Sequence, residues 1–167
     1  APDGTPTNAL YGISGVLLKM FKEHHPEYIA AAFDRPEPTF RETEYKEYKA
    51  NRPPTANEII SQIITAHEVF SWFGIKTFEM PGFEADDVIG TIAKEAKKNF
   101  NVIIASGDMD TMQLIWGMSV KVFTLKKGIN DTIIYDEAAV RARFGFSPIQ
   151  LTDYKGLRGD PSDNIIG

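Results

Sequence analysis

Apolar positions along this chain follow two periods in turn. From Thr7 they recur at helical spacing through Leu10, Ile13, Leu17, Met20 and Phe21 as far as His24-His25-Pro26, which predicts a helix capped by Thr7. Tyr28 to Phe33 (YIAAAF) is a short continuous apolar run ending at Asp34 and reads as a strand. Helical spacing returns after Pro53-Pro54-Thr55 and lasts to Phe73, where Gly74 stops it. Lys76 to Met80 reads as a strand and Pro81-Gly82 as a turn. Val88, Ile89, Ile92, Ala93 and Ala96 then form the stripe of a helix that starts at Ala85 and closes at Asn99. Val102 to Ala105 (VIIA) is the best candidate for a buried strand, turning at Ser106-Gly107-Asp108. Val120–Phe123 and Thr132–Tyr135 flank the turn-rich KKGIND and predict a hairpin, with helices following at Asp136–Phe144 and Pro148–Leu157. Alternating strands and helices with apolar strands predict one α/β domain, its sheet mainly parallel with helices on both faces.

Composition narrows the class. The chain has 167 residues, 43% hydrophobic and 25% charged, which suits a globular domain with a full core. No apolar run approaches ~18 residues, so no spanning helix is expected. There is no cysteine, which excludes disulfides, Cys-ligated zinc and a thiol nucleophile and suits a reducing cytoplasm. The start, APDGTPTN, lacks the basic and apolar regions of a signal peptide. The formal charge is −5, which would disfavour a polyanionic partner if the acids were evenly spread.

They are not evenly spread. Asp34 follows YIAAAF, Glu84, Asp86 and Asp87 stand at a helix start, Asp108 and Asp110 follow VIIASG, and Asp160 and Asp163 lie near the end. Asp34 and Asp108 fall just past the C-terminal ends of predicted strands, the edge where open α/β sheets bind ligands. Any one cluster is explained by capping and by the helix dipole. Eight carboxylates on one edge repel by several kcal/mol unless cations neutralise them, and hard divalent cations, Mg²⁺ or Mn²⁺, suit all-oxygen ligands. With these eight set aside, the remaining acids are outnumbered by the 18 basic residues. His24, His25 and His67 sit in helical patterns without metal-ligand spacing and read as structural or surface residues.

Arg35 to Pro54 (RPEPTFRETEYKEYKANRPP) is polar, aromatic and basic. On a helix from Thr39, Arg41, Tyr45, Tyr48, Lys49 and Arg52 share an arc of about 100°, leaving Glu42, Glu44 and Glu47 outside it. Such a face offers cations to phosphates and rings to bases, while alternating charge on a solvated helix is the plainer alternative.

AAAFD, FRETEYKEYKANRP, GFEADD, IIASGDMDTMQL and KGLRGDPSDNIIG occur in series, and GDxD is followed about fifty residues later by GDxSDN. Together they resemble the 5′-nuclease domains of bacterial DNA polymerase I, within the flap endonuclease family, over essentially the whole chain. The resemblance implies a PIN-like fold whose acidic cleft holds two divalent metals through Asp34, Glu84, Asp86, Asp87, Asp108, Asp110, Asp160 and Asp163. It also implies a helical arch around Arg41, Lys49 and Arg52 that admits a 5′ single strand, with Lys49 and Arg52 as its basic pair. The family's first strand, carrying Asp-Gly-Asn, and its helix–hairpin–helix are expected outside residues 1–167, so the chain reads as a fragment of the catalytic domain. Met109 stands where the family usually has a basic residue, and Ile166 where it usually has proline.

The implied reaction is metal-dependent hydrolysis of DNA at 5′ ends and 5′-flap junctions in replication and repair, leaving a 5′-phosphate and a 3′-hydroxyl. Lys49 would steady the scissile phosphate, and Asp34, Asp108 and Asp110 would serve the catalytic metals. The implied partners are flapped DNA and a polymerase domain in the same chain, in the cytoplasm of a bacterium, at the nucleoid. The rivals are a non-catalytic module for branched DNA, a PIN-type ribonuclease and, more weakly, a small-molecule phosphohydrolase, for which no Gly-rich phosphate loop is present.

Overall fold

A computed structural model describes residues 4–128 and 131–167, and the side chain of Lys127 is not described. In chain order the elements begin with α1 (Asn8–His24), β1 (Ala30–Ala32), α2 (Phe40–Glu44), α3 (Asn57–Trp72) and β2 (Lys76–Phe78). They continue with α4 (Ala85–Ala96), β3 (Val102–Ala105), a 3₁₀ helix at Met109–Leu114, β4 (Val120–Lys127) and β5 (Asp131–Tyr135). After α5 (Glu137–Phe144), a 3₁₀ turn at Pro148–Gln150 runs into α6 (Leu151–Arg158), and β6 (Gly159–Asp160) pairs with β7 (Ile165–Ile166). The predicted alternation is present, as is the predicted hairpin of β4 and β5; its KKGIND turn includes Ile129 and Asn130, which lie outside the described residues. Among the described residues no helix is long and apolar enough to cross a membrane.

The chain divides into two compact units. The first comprises the residues up to Phe33 together with Pro53–Glu79. In it β1 and β2 pair in parallel, Ala30 opposite Lys76 and Ala32 opposite Phe78, while α1 packs on α3. Leu17, Ala66, Val69 and Ile75 are buried there, and the Phe33 ring stacks on His67 with centroids 3.9 Å apart. His67, read from the sequence as structural, thus fills a packing role. The cap of α1 differs from expectation. Thr7 holds the N-cap position, but its side chain makes no capping bond; buried Gln62 of α3 accepts from the Ala9 N–H at 2.8 Å instead. A long-range partner has satisfied a helix-end donor that local sequence assigns to a hydroxyl.

The second unit, Asp34–Arg52 with Met80–Gly167, carries the acidic clusters. β3 and β4 pair in parallel from Val102–Val120 to Ala105–Phe123, and β5 adds antiparallel to β4. Ala93 of α4, Ile104, Met112, Ile115, Val120, Val122, Tyr135, Val140 and Leu151 form one buried core. The strand residues are β-branched or aromatic at several of these positions, as a strand packed against helices requires. Gly159 is obligatory: its φ is +78°, and a Cβ there would meet the Gly167 backbone nitrogen at 2.4 Å. That close approach is what lets β6 present Asp160.

Met112 lies two residues beyond Asp110 and is fully buried in this core, so it anchors the 3₁₀ helix. Met112→Ala is expected to destabilise the protein by about 2–4 kcal/mol. The check is the urea midpoint, which should fall with little change in slope.

Candidate active site

All eight carboxylates singled out from the sequence lie in the second unit and line one cavity of about 890 Å³. Its wall also carries Arg41, Tyr45, Tyr48, Lys49, Arg52 and Lys155. Each cluster is placed by hydrogen bonds to backbone N–H groups. Asp34 accepts from the Ala85 N–H at 2.8 Å, which ties it to the start of α4. Glu84 is the N-cap of α4 and forms a reciprocal capping box with Asp87, whose Oδ2 accepts from the Glu84 N–H at 3.0 Å. Capping therefore does account for Glu84 and Asp87, while Asp86 in the same turn is left to face the cavity. Asp108 caps the 3₁₀ helix by accepting from the Asp110 N–H at 2.8 Å. Asp160 Oδ1 accepts from the Ser162 N–H at 3.0 Å and the Ser162 hydroxyl at 2.6 Å.

Five of the eight acids are ion-paired. Arg41 clasps Asp87 through two parallel bonds of 2.6 and 2.8 Å, and Lys49 Nζ lies 2.7 Å from Glu84 Oε1. Arg52 pairs with Asp163, and Lys155 bridges Asp110 and Asp160, 2.6 Å from the latter. Among the described residues no cation pairs with Asp34, Asp86 or Asp108. Asp110, Asp160 and Asp163 present carboxylate oxygens that all lie within 4.8 Å of one another.

The electrostatics follow this division. Burial, followed by the charges of Asp108, Asp34, Glu84 and Asp110, pushes Asp86 up to about 6. Asp110 is also raised, chiefly by burial, against the pull of Lys155. Lys155 and Ser162 hold Asp160 down to about 2, and the Arg41 bonds lower Asp87.

The arch-like segment departs from the sequence expectation. Arg41, Tyr45, Tyr48, Lys49 and Arg52 do not share a helical face, because α2 has only five residues and Tyr45 is already extended. Lys49 adopts a left-handed φ of 55°. Its N–H donates to the Asp163 carbonyl at 3.0 Å, Asn164 Nδ2 to the Glu47 carbonyl at 2.9 Å, and Asn51 Nδ2 to the Pro161 carbonyl at 2.8 Å. Stitching to the 160–164 turn replaces the helical bonds. Tyr48, expected to offer its ring to bases, is 9% exposed, with its hydroxyl 3.3 Å from both Glu84 and Asp163. Burial and those carboxylates raise its pKa. Tyr45 remains exposed.

Lys155 was not singled out from the sequence. The available signal is its place in the last turn of α6, five residues before Asp160, where a lysine also reads as an ordinary dipole partner.

The second unit is thus an α/β unit with an all-oxygen acidic cavity rimmed by cations. Its family follows from comparison with known proteins. The chain belongs to the 5′-3′ exonuclease family, whose N-terminal, resolvase-like domain matches residues 1–145. DNA polymerase I of Mycobacterium tuberculosis and of Bacillus subtilis are each 41% identical over 165 residues. Those alignments cover 98% of this chain but only 18% and 19% of the relatives, so the chain spans about a fifth of their length. The 5′-3′ exonuclease of Aquifex aeolicus is 38% identical over 98% of this chain and 55% of its own. Among solved structures, a T5 protein co-crystallised with metal ions superimposes with a TM-score of 0.78 at 22% identity, over 97% of this chain and 63% of that one. A bacteriophage T5 flap endonuclease in a pseudo-enzyme-product complex with DNA and metal ions gives 0.74 at 21%, over 97% and 61%. These likenesses bear out the PIN-like fold.

Asp86 generates a prediction for the metal-free protein. The folded chain binds its proton more tightly than the unfolded chain, so its penalty is absent below 3.8, grows with pH, and is complete above about 6. A rise from 3.8 to about 6 corresponds to ~3 kcal/mol, which partial exposure reduces to about 1 kcal/mol. Asp86→Asn should therefore raise Tm by a few degrees at pH 7.5 in chelator, and the gain should vanish near pH 4 on thermal melts.

Proposed function

We propose that this chain is the catalytic part of a divalent-metal-dependent 5′-nuclease that hydrolyses DNA phosphodiesters at 5′ ends and 5′-flap junctions, in replication and repair. One observation carries the reading: carboxylates from four sequence-distant segments line a single cavity whose rim holds Arg41, Lys49 and Arg52. The 5′-3′ exonuclease name of the Aquifex relative and the DNA and metals of the T5 complex support it.

The donor set fits hard divalent cations. It is entirely oxygen, and Asp86, raised first by burial and then by the charges of Asp108, Asp34, Glu84 and Asp110, sits where a cation would favour its ionised form. Two ions, Mg²⁺ or Mn²⁺, would be held by Asp34, Asp86, Asp108 and Asp110 on one side and by Asp110, Asp160 and Asp163 on the other. Glu84 and Asp87 orient the rim through Lys49 and Arg41. When bound, the ions supply a water of lowered pKa and neutralise charge on the attacked phosphate.

The chain's own groups do the rest. Lys49, half-buried beside Glu84, steadies the scissile phosphate electrostatically. Arg41 and Arg52 hold neighbouring phosphates, and the exposed Tyr45 ring offers a stacking surface. Tyr48 positions Glu84 and Asp163 from beneath. No side chain acts as nucleophile; water attack leaves a 5′-phosphate and a 3′-hydroxyl. The name DNA polymerase I of the relatives supports a polymerase domain in the same chain as the natural partner, beside flapped DNA in the bacterial cytoplasm.

Asp108→Asn keeps the capping acceptor and so should fold normally. Mg²⁺-dependent cleavage of a 5′-flap DNA should fall by more than the ~100-fold typical of outer-shell ligands, and full activity would refute the assignment. For Lys49→Ala, single-turnover cleavage should slow by about 100-fold while flap affinity changes by under ~10-fold. A loss confined to affinity would make Lys49 a DNA-positioning residue only. An RNA flap of the same sequence, cut as fast as DNA, would favour a ribonuclease.

A further inference from the structure

We propose that Lys155 is the occupant a divalent ion must displace from Asp110 and Asp160, so that this lysine sets the metal concentration at which that half of the cavity fills. The inference rests on the metal reading above and concerns its regulation. Asp160 has one oxygen committed: Oδ1 is held by the Ser162 N–H and hydroxyl. Its other oxygen, Oδ2, faces Lys155 Nζ at 2.6 Å, and the same ammonium bonds Asp110 Oδ1. These two acids belong, with Asp163, to the group whose oxygens lie within 4.8 Å of one another. A hard divalent ion bonds such oxygens at about 2.0–2.6 Å, and an ammonium hydrogen-bonded to the same atoms overlaps it. The two cations are therefore alternatives for the same pair of oxygens.

Residue type suits an exchangeable occupant. A lysine ammonium is a point charge on a flexible four-carbon stem, free to swing into the open cavity, whereas a guanidinium fork would clasp the acids as Arg41 clasps Asp87. In the empty site Lys155 keeps Asp110 and Asp160 together against their own repulsion. Lys155 is a positioning residue, acting through the two aspartates. Lys94 lines the same cavity without an ion pair among the described residues and provides a comparison.

The test is calorimetric titration of Mn²⁺ into the chelator-treated full-length protein without DNA, so that nothing turns over. Lys155→Met keeps the stem and removes the charge, and should tighten one Mn²⁺ step by about tenfold or more. Lys155→Arg should stay at or below wild-type affinity, and Lys94→Met should match wild type. Asp160→Asn should remove the step that Lys155→Met tightens. Should Lys155→Met not fold by circular dichroism, Lys155→Gln makes the same comparison. Unchanged or weaker Mn²⁺ binding in the folded charge-deleted variant, with the step still lost in Asp160→Asn, overturns this inference alone. No Mn²⁺ binding in any of these proteins overturns the metal reading as well.

Discussion

Like charges crowded into one cavity govern this structure. Two carboxylates 5 Å apart repel by about 3 kcal/mol at an effective dielectric near 20, and eight such groups line the same space. The chain answers with its own cations. Arg41, Lys49, Arg52 and Lys155 neutralise Asp87, Glu84, Asp163, Asp110 and Asp160, and the residual repulsion concentrates on Asp34, Asp86 and Asp108. The upward shift at Asp86 has burial as its first cause and the neighbouring uncompensated carboxylates as its second. A site arranged this way neutralises five of its acids and leaves three without a cation partner among the described residues.

The same attraction shapes the backbone around the cavity. Beyond Glu44 the arch-like segment gives up its helix, and the basic side chains reach the acids from turns. A left-handed Lys49 costs about 1–2 kcal/mol. The bonds between residues 45–52 and the 160–164 turn, together with the ion pairs, offset it. The basic groups at the rim are thus held on the cavity's acids, so the two sets of charges are fixed by one set of contacts.

Much of this was legible before any coordinates. The strands at Val102–Ala105 and Val120–Phe123 appear where their β-branched runs stand, α5 begins at the Asp136 cap, and α3 ends just before Gly74. The acids were legible because four clusters of one chemistry, three of them at a strand end or a helix start, need a common explanation. Less legible were the cap of α1, supplied by Gln62 from 53 residues away, the burial of Tyr48, and the bridging by Lys155. Each depends on a partner distant in sequence or on a side chain with an ordinary local reading.

Local pattern thus determined the elements, the α/β class and the identity of the acidic residues, because periodicity, capping and turn chemistry act within a few neighbours. Tertiary structure alone decided which acids are neutralised and which face the cavity bare, and it broke the helix expected from Thr39. Those outcomes turn on electrostatic attraction across more than a hundred residues, from Tyr48 and Arg52 to Asp163, and one-dimensional spacing does not encode which charges meet.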